Sequence, residues 1–212
     1  MSDVPDNPLS RREKNKIANR QAILLGCLEV FAEIGFDTAT ISDLVKASGL
    51  SVGTFYNYFG DKDAVFRELV AELINRARDA LNQARQSAPT PEEFVLRAFR
   101  SYCLVISENP RMQALIVRNT SAFRSVLFSG EITGLVDDLE RDMTNAMASG
   151  MFPAFPIRLM TTAMIGAGVE VFAFENDSGA TPEEKAEFLG NLFVGGIRFL
   201  AEKGKGAERE RR

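Results

Sequence analysis

Apolar residues recur along this chain at intervals of three and four, the period of helices with one side turned inward, and strand-like alternation is scarce. The first long pattern covers residues 11–34. There Ile17, Ile23, Leu24, Cys27, Leu28, Phe31 and Ile34 form one stripe, and Gly35 supplies a left-handed stop. A shorter helix follows Thr40, with Asp43 three residues on as a near capping box and Ile41, Leu44 and Val45 facing inward. Ser48-Gly49-Leu50-Ser51 is a tight turn, and Ser51 is placed to cap a helix over 52–59 with Val52, Phe55 and Phe59 on its inner side. Gly60-Asp61 ends that helix, and a long one runs over 62–86. Beyond the break at Ala88-Pro89-Thr90-Pro91, the pattern predicts helices over 91–108, 110–122, 124–149, 156–176 and 182–203. Residues 204–212 are charged, contain glycine and are expected to fray. The chain reads as all-α.

Composition narrows the possible chemistry. The 212 residues are 45% hydrophobic and 25% charged, with a net charge of −4. A chain of this size buries roughly 70% of its unfolded surface, enough to fold without a disulfide or metal. No apolar run approaches the ~18 residues of a spanning helix, and Met1–Ser10 is too polar for a signal peptide, so no membrane partner is expected. Histidine is absent and no CxxC pair exists, which excludes a Ser-His-Asp hydrolase, a Cys-His protease and a zinc finger. Cys27 and Cys103 form no CxxC pair and read as two buried thiols in a reducing, cytoplasmic compartment. The acidic run Asp137-Asp138-Leu139-Glu140-Arg141-Asp142 has Arg141 where a DDxxD metal box needs its last aspartate, and it reads as a solvated helix face. No catalytic residue, metal or cofactor is expected.

Two short helices joined by a four-residue turn containing glycine are a helix-turn-helix. A recognition helix needs an apolar back, and a front of small and hydrogen-bonding residues that can approach base edges and phosphates. The 52–59 segment fits. Gly53 removes a side chain, Thr54 and Tyr56 offer hydroxyls, Asn57 offers a donor and an acceptor, and Lys62 adds a charge past the end. Tyr56 and Tyr58 are two of only three tyrosines. The pattern alone also fits a plain helical corner with its tyrosines packed.

Residues 23–66 settle between the two. The stretch Ile23-Leu-Leu-Gly-Cys-Leu-Glu-Val-Phe-Ala-Glu-Ile-Gly-Phe36, the run Thr40–Phe59 and the segment Gly60-Asp-Lys-Asp-Ala-Val-Phe66 resemble the N-terminal domain of the TetR family of bacterial transcriptional regulators. The Gly-Thr-Phe-Tyr-x-Tyr-Phe-x-x-Lys run from Gly53 to Lys62 is the most specific part. The resemblance implies a three-helix DNA-binding domain over 1–61, a larger helical ligand-binding and dimerisation domain over 62–203 and a charged tail over 204–212. It further implies that Thr40 caps its helix and touches a phosphate, and that Ser42 and Lys46 reach the DNA backbone or a base edge. Val52, Gly53 and Thr54 would enter the major groove of a double-stranded operator. Tyr56 and Lys62 would hold phosphates, and Asn57 and Tyr58 would lie against bases or the sugar-phosphate wall. Gly26 and Cys27 stand where the commoner family pattern has alanines.

DNA affinity rests on neutralising phosphates, yet residues 1–62 hold seven Lys and Arg against eight Asp and Glu. The charge is uneven: Arg11, Arg12, Lys14, Lys16 and Arg20 face only Glu13 within 8–20, and this segment reads as a basic arm. The rest of the chain is rich in soft, bulky residues, with 16 Phe, seven Met and no Trp overall, which suits an adaptable cavity. Its candidate lining is Phe99, Tyr102, Cys103, Ile106, Leu115, Ile116, Phe123, Met143, Met147, Met160 and Met164; the resemblance implies a small-molecule ligand there, and the lack of charge among these positions points to a hydrophobic or amphipathic one. In the last two helices Gly166 and Gly196, with Val169, Phe172, Leu192, Phe193 and Ile197, are expected to form the homodimer interface that the resemblance implies.

Overall fold

Side-chain caps start the helices where the sequence marks them. The structure, a computed structural model, describes residues 10–86, 88, 90–129, 134–173 and 179–210. Among these, all regular structure is helical. Helix α1 (Arg11–Glu33) opens with a Ser10/Glu13 capping box, and α2 (Ile41–Ser48) opens with the Thr40/Asp43 box. Ser51 caps α3 (Val52–Tyr56) and Asp61 caps α4 (Lys62–Gln86), accepting the Ala64 N–H at 2.7 Å. Thr90 and Asn109 cap α5 (Pro91–Ser107) and α6 (Pro110–Arg118), each with proline in the first turn. Then come α7 (Thr120–Phe128), α8 (Leu135–Ala148), α9 (Ile157–Ala173) and α10 (Pro182–Glu210).

Several boundaries differ from the expectation, each for a local reason. Helix α3 ends three residues before 59, because the Tyr58 N–H turns back to the Phe55 carbonyl at 3.0 Å in a tightened last turn. The expected helix 110–122 breaks at Asn119, whose φ of −123° and ψ of 37° belong to neither helix it joins. The expected helix 124–149 breaks before Gly134, held at φ 132° with the Arg78 guanidinium lying where a Cβ would project. Gly204 and Gly206 do not stop α10, which runs past 203 to Glu210. The last part of the expected 156–176 helix, from 174, lies outside the described residues.

One contiguous core runs the length of the chain. Helix α4 threads it: Phe66 meets Phe31 edge-on at 5.5 Å and Phe36 at 4.9 Å, while further along Leu73, Ile74, Ala77 and Leu81 face α5 and beyond. In α1, Ile23, Cys27, Leu28 and Phe31 are buried as read, whereas Ile17 and Ile34 at the two ends of the stripe are exposed. Both cysteines are free and buried, and burial alone pushes the Cys27 thiol up to about 12. Asp138 corrects the picture of a solvated acidic face. It is buried, accepting from Arg78 Nε at 2.5 Å and from Arg141 Nη1 at 2.7 Å. Burial would raise its pKa, and the two arginine hydrogen bonds outweigh that and lower it.

Gly26 sets how closely α1 crosses α2. A Cβ there would sit 2.6 Å from the Ala47 carbonyl carbon and 2.7 Å from the Ser48 nitrogen, both backbone atoms that cannot rotate away. In an open helix Gly→Ala would stabilise by about 1 kcal/mol. Here overpacking, which typically costs about 1–3 kcal/mol, reverses the sign. Gly26→Ala is expected to lower Tm by on the order of 2–8 °C in calorimetry; a higher Tm would show that the helices stand further apart.

Candidate functional site

The α2–α3 corner is built from local signals. Gly49 takes the left-handed conformation (φ 68°) that reverses the chain after α2, and Ser51 Oγ accepts the Thr54 N–H at 3.1 Å to start α3. Phe55 and Phe59 are buried and fix α3 from behind. Val52, expected on that inner side, is instead more than half exposed, beside exposed Gly53, Tyr56 and Asn57. Thr54 and Tyr58 are half-buried, and nothing lies within 4 Å of the position a Cβ on Gly53 would take. The front of α3 is therefore low, polar and open.

A second element completes this face. Arg11, Arg12, Asn15, Lys16 and Asn19 of α1 share one open groove with Thr54, Asn57 and Tyr58 of the α3 segment. The two asparagines were not anticipated; their four-residue spacing on α1 places them on one side. Ser42 and Lys46 are exposed on α2. Arg20 departs from the expected arm: its guanidinium pairs with Glu68 of α4 and lies 5.4 Å from the Phe59 ring centroid.

Two further expected contacts are already engaged within the chain. The Thr40 hydroxyl donates to Asp43 Oδ2 at 2.6 Å and its N–H donates to the same oxygen at 3.0 Å, so capping is its observed work. Lys62 corrects the expected phosphate contact more clearly. Its Nζ donates to the carbonyls of Phe36 at 2.8 Å, Ala39 at 3.2 Å and Asp37 at 3.4 Å, and sits 4.6 Å from the Phe36 ring centroid. The ammonium closes the α1–α2 connection.

The second feature is a cavity of about 70 Å³ walled by α4, α5, α7, α8 and α9. Phe99, Tyr102, Phe123 and Met164 line it as expected. Cys103, Ile106, Leu115, Ile116 and Met143 are instead solid core, and Met147 and Met160 pack against that core from its edge. Unanticipated wall residues are Leu73, Ile74, Ala77 and Leu81 of α4 and Leu127 of α7. The wall carries no charged side chain, and the Tyr102 phenol is its only polar one, its pKa raised by burial. Pockets for drug-sized ligands are typically ~300–1,000 Å³, so a ligand of that size must push the walls apart.

The third feature is an unpaired apolar face. Phe188, Leu192 and Phe199 lie along one side of α10 and Leu159 stands exposed on α9, each more than half exposed. Added Cβ atoms at Gly166, Gly195 and Gly196 would meet nothing. Three residues expected here belong inside: Val169 lines the cavity, Phe172 packs against Tyr102 at 5.5 Å, and Ile197 is buried. Phe193 is half-buried and stacks on Phe99 at 5.5 Å. Gly190 answers to an internal neighbour, since a Cβ there would overlap Leu96 of α5. Among the described residues, no helix is long and apolar enough to cross a membrane and no acidic or thiol cluster could hold a metal.

Comparison with known proteins bears on both ends of the chain. A family profile described as "Bacterial regulatory proteins, tetR family" matches residues 23–69. The HTH-type transcriptional regulator HbdR of Aromatoleum is 26% identical over 106 residues, and the matched stretch covers 50% of this chain and 46% of HbdR, under half its length. The HTH-type transcriptional regulator EthR of Mycolicibacterium smegmatis is 25% identical over 193 residues, 88% of this chain and 86% of EthR. Among solved structures, the transcriptional regulator FadR of Bacillus subtilis in complex with stearoyl-CoA superposes with a TM-score of 0.70 at 19% identity, covering 84% of this chain and 98% of FadR. That likeness establishes a shared fold.

Lys62→Met keeps the aliphatic stem and removes three donated hydrogen bonds. Leaving partly buried acceptors unpaired costs about 1–3 kcal/mol, so thermal unfolding is expected to shift down. A lost duplex affinity with an unmoved Tm would return the ammonium to a phosphate.

Proposed function

We propose that this chain, which belongs to the TetR family of bacterial regulatory proteins, works as a homodimeric, sequence-specific DNA-binding transcriptional repressor whose hold on a palindromic operator is released by a hydrophobic or amphipathic small molecule. One observation carries the reading: α3 is anchored by two buried phenylalanines and turns Gly53, Tyr56 and Asn57 outward beside the basic start of α1. Val52, Gly53 and Thr54 enter the major groove, Tyr56 holds a phosphate, and Asn57 and Tyr58 lie along the groove wall. Ser42 and Lys46 reach the backbone from α2, and Arg11, Arg12 and Lys16 supply the positive charge that the chain as a whole lacks. In a two-fold dimer the two α3 helices address half-sites about one DNA turn, ~34 Å, apart.

The unpaired face of α9 and α10 supports the dimer. A row of Phe188, Leu192 and Phe199 with Gly195 and Gly196 between them lets two helices approach closely. The cavity supports an apolar ligand, and the acyl chain of the molecule bound to Bacillus subtilis FadR has that chemistry. Release requires differential affinity: moving a two-state protein from 1:99 to 99:1 takes about 5.5 kcal/mol in favour of the DNA-incompetent form. Because the cavity must widen, ligand binding selects a form with displaced walls.

The other class of function, a helical small-molecule binder or enzyme without DNA contact, predicts no duplex binding by the unsubstituted protein. In the regulator, removing Tyr56 and Asn57 together (Tyr56→Ala, Asn57→Ala) deletes exposed contacts worth on the order of 1 kcal/mol or more each. Affinity for a duplex selected from host genomic fragments is expected to fall tenfold or more, with the melting curve unchanged. An unaltered affinity would move the interface off α3. Separately, Leu192→Glu is expected to convert dimers to monomers in light scattering at micromolar concentration; dimers that persist would relocate the association face.

A further inference from the structure

The junction between α6 and α7 holds a buried amide that binds both functional parts of the chain. Asn119 lies between the two helices, following α6 as its C-cap and preceding α7 as its N-cap residue, and it is 6% exposed. Its Nδ2 donates to the carbonyl of Phe31, in the last turn of α1, at 3.0 Å and to that of Leu115 at 2.7 Å. Its Oδ1 accepts the Phe36 N–H at 2.5 Å. The last carbonyls of a helix have no partner within it, so Asn119 satisfies one that α1 cannot satisfy itself. Helix α7, starting at the next residue, buries Phe123 and Leu127, and both line the cavity. On the other side, Phe36 offers its carbonyl to Lys62 at the start of α4, and its ring lies among Phe31, Phe66 and the Lys62 ammonium. Residues 37–40 then lead directly into α2.

We propose that Asn119 is the positioning residue that relays cavity occupancy to the helix-turn-helix, by coupling the tilt of α7 to the conformation of residues 31–40. This inference rests on the regulator reading above. A hydrogen-bonded amide makes the link discrete: a shift of α7 that carries Asn119 away breaks its bonds to Phe31 and Phe36 together and frees the α1–α2 connection. A shift that keeps them drags the connection along. In either case a displaced cavity wall changes the state of the α1–α2 connection. The second tether between α6 and α1, Arg111 to Glu29 at 2.9 Å, is exposed at both ends and holds no backbone group.

Naphthalene, a neutral apolar molecule, serves as the cavity probe, with amide hydrogen exchange on the full chain as the readout. In the unsubstituted protein, saturating naphthalene is expected to change exchange at least threefold in peptides covering 120–128 and in those covering 31–40. In Asn119→Ala, naphthalene binding and the 120–128 response persist while the 31–40 response is lost. Asn119→Leu, which fills the volume without a hydrogen bond, gives the same split should the alanine variant fail to fold. Arg111→Ala leaves both responses intact. The relay is overturned if 31–40 still responds in the Asn119 variants, if it fails to respond in the unsubstituted protein while 120–128 does, if Arg111→Ala abolishes it equally, or if naphthalene does not bind. A relay that operates in a protein binding no duplex would instead sink the regulator reading and leave the linkage standing.

Discussion

Phe36 is where the chain is tied together. Its N–H goes to Asn119, its carbonyl to Lys62, and its ring to Phe31 of α1 and Phe66 of α4. These contacts fix the turn between α1 and α2, and the position of α2 and α3 follows from that turn. A surface helix of five residues has little stability of its own, so α3 can present Tyr56 and Asn57 in one orientation only if its support is rigid. Gly26 contributes by letting the α2 backbone press directly on α1. Lys62 contributes by drawing three carbonyls to one point, which explains a cation placed one helix further on than the surface it supports.

The cavity and this tie oppose one another in packing terms. Space inside a folded chain forgoes contacts that a filled core would make, and here its walls include α4, which carries Phe66 and Lys62, and α7, which follows directly on Asn119. A ligand that fills it gains those contacts only by moving its walls, and the walls are attached to the α1–α2 connection. Packed interfaces of this kind shift between discrete arrangements rather than bending smoothly.

Much of this was legible in the residues, and the exceptions have a common cause. The Thr40 box, the Gly35 and Gly49 stops, the Ser51 cap and the phenylalanine back of α3 are local chemistry, and local chemistry is what spacing reports. The α6–α7 and α7–α8 breaks were not visible, because Asn119 and Gly134 take their conformations against residues 83 or more positions earlier in one case and against Arg78 in the other. Lys62 has the spacing of a phosphate ligand, and only the fold shows three carbonyls converging on it. In α9 and α10 apolar residues occupy several sides at once. Periodicity therefore could not say that Val169, Phe172 and Ile197 point inward while Leu192 points out. The cavity wall suffered likewise, since burial at Met143 or Leu115 looks the same in sequence whether a residue meets a void or a neighbour.

The two thiols have a consequence for what this protein can sense. A thiol held near 12 exists as thiolate in only about one molecule in 10⁵ at neutral pH, and Cys27 is raised that far. Cys103 is also raised by burial and donates its proton to the Pro182 carbonyl at 3.0 Å. Peroxide attacks the thiolate, so neither buried cysteine is a ready target in the folded chain, and both serve as apolar filling.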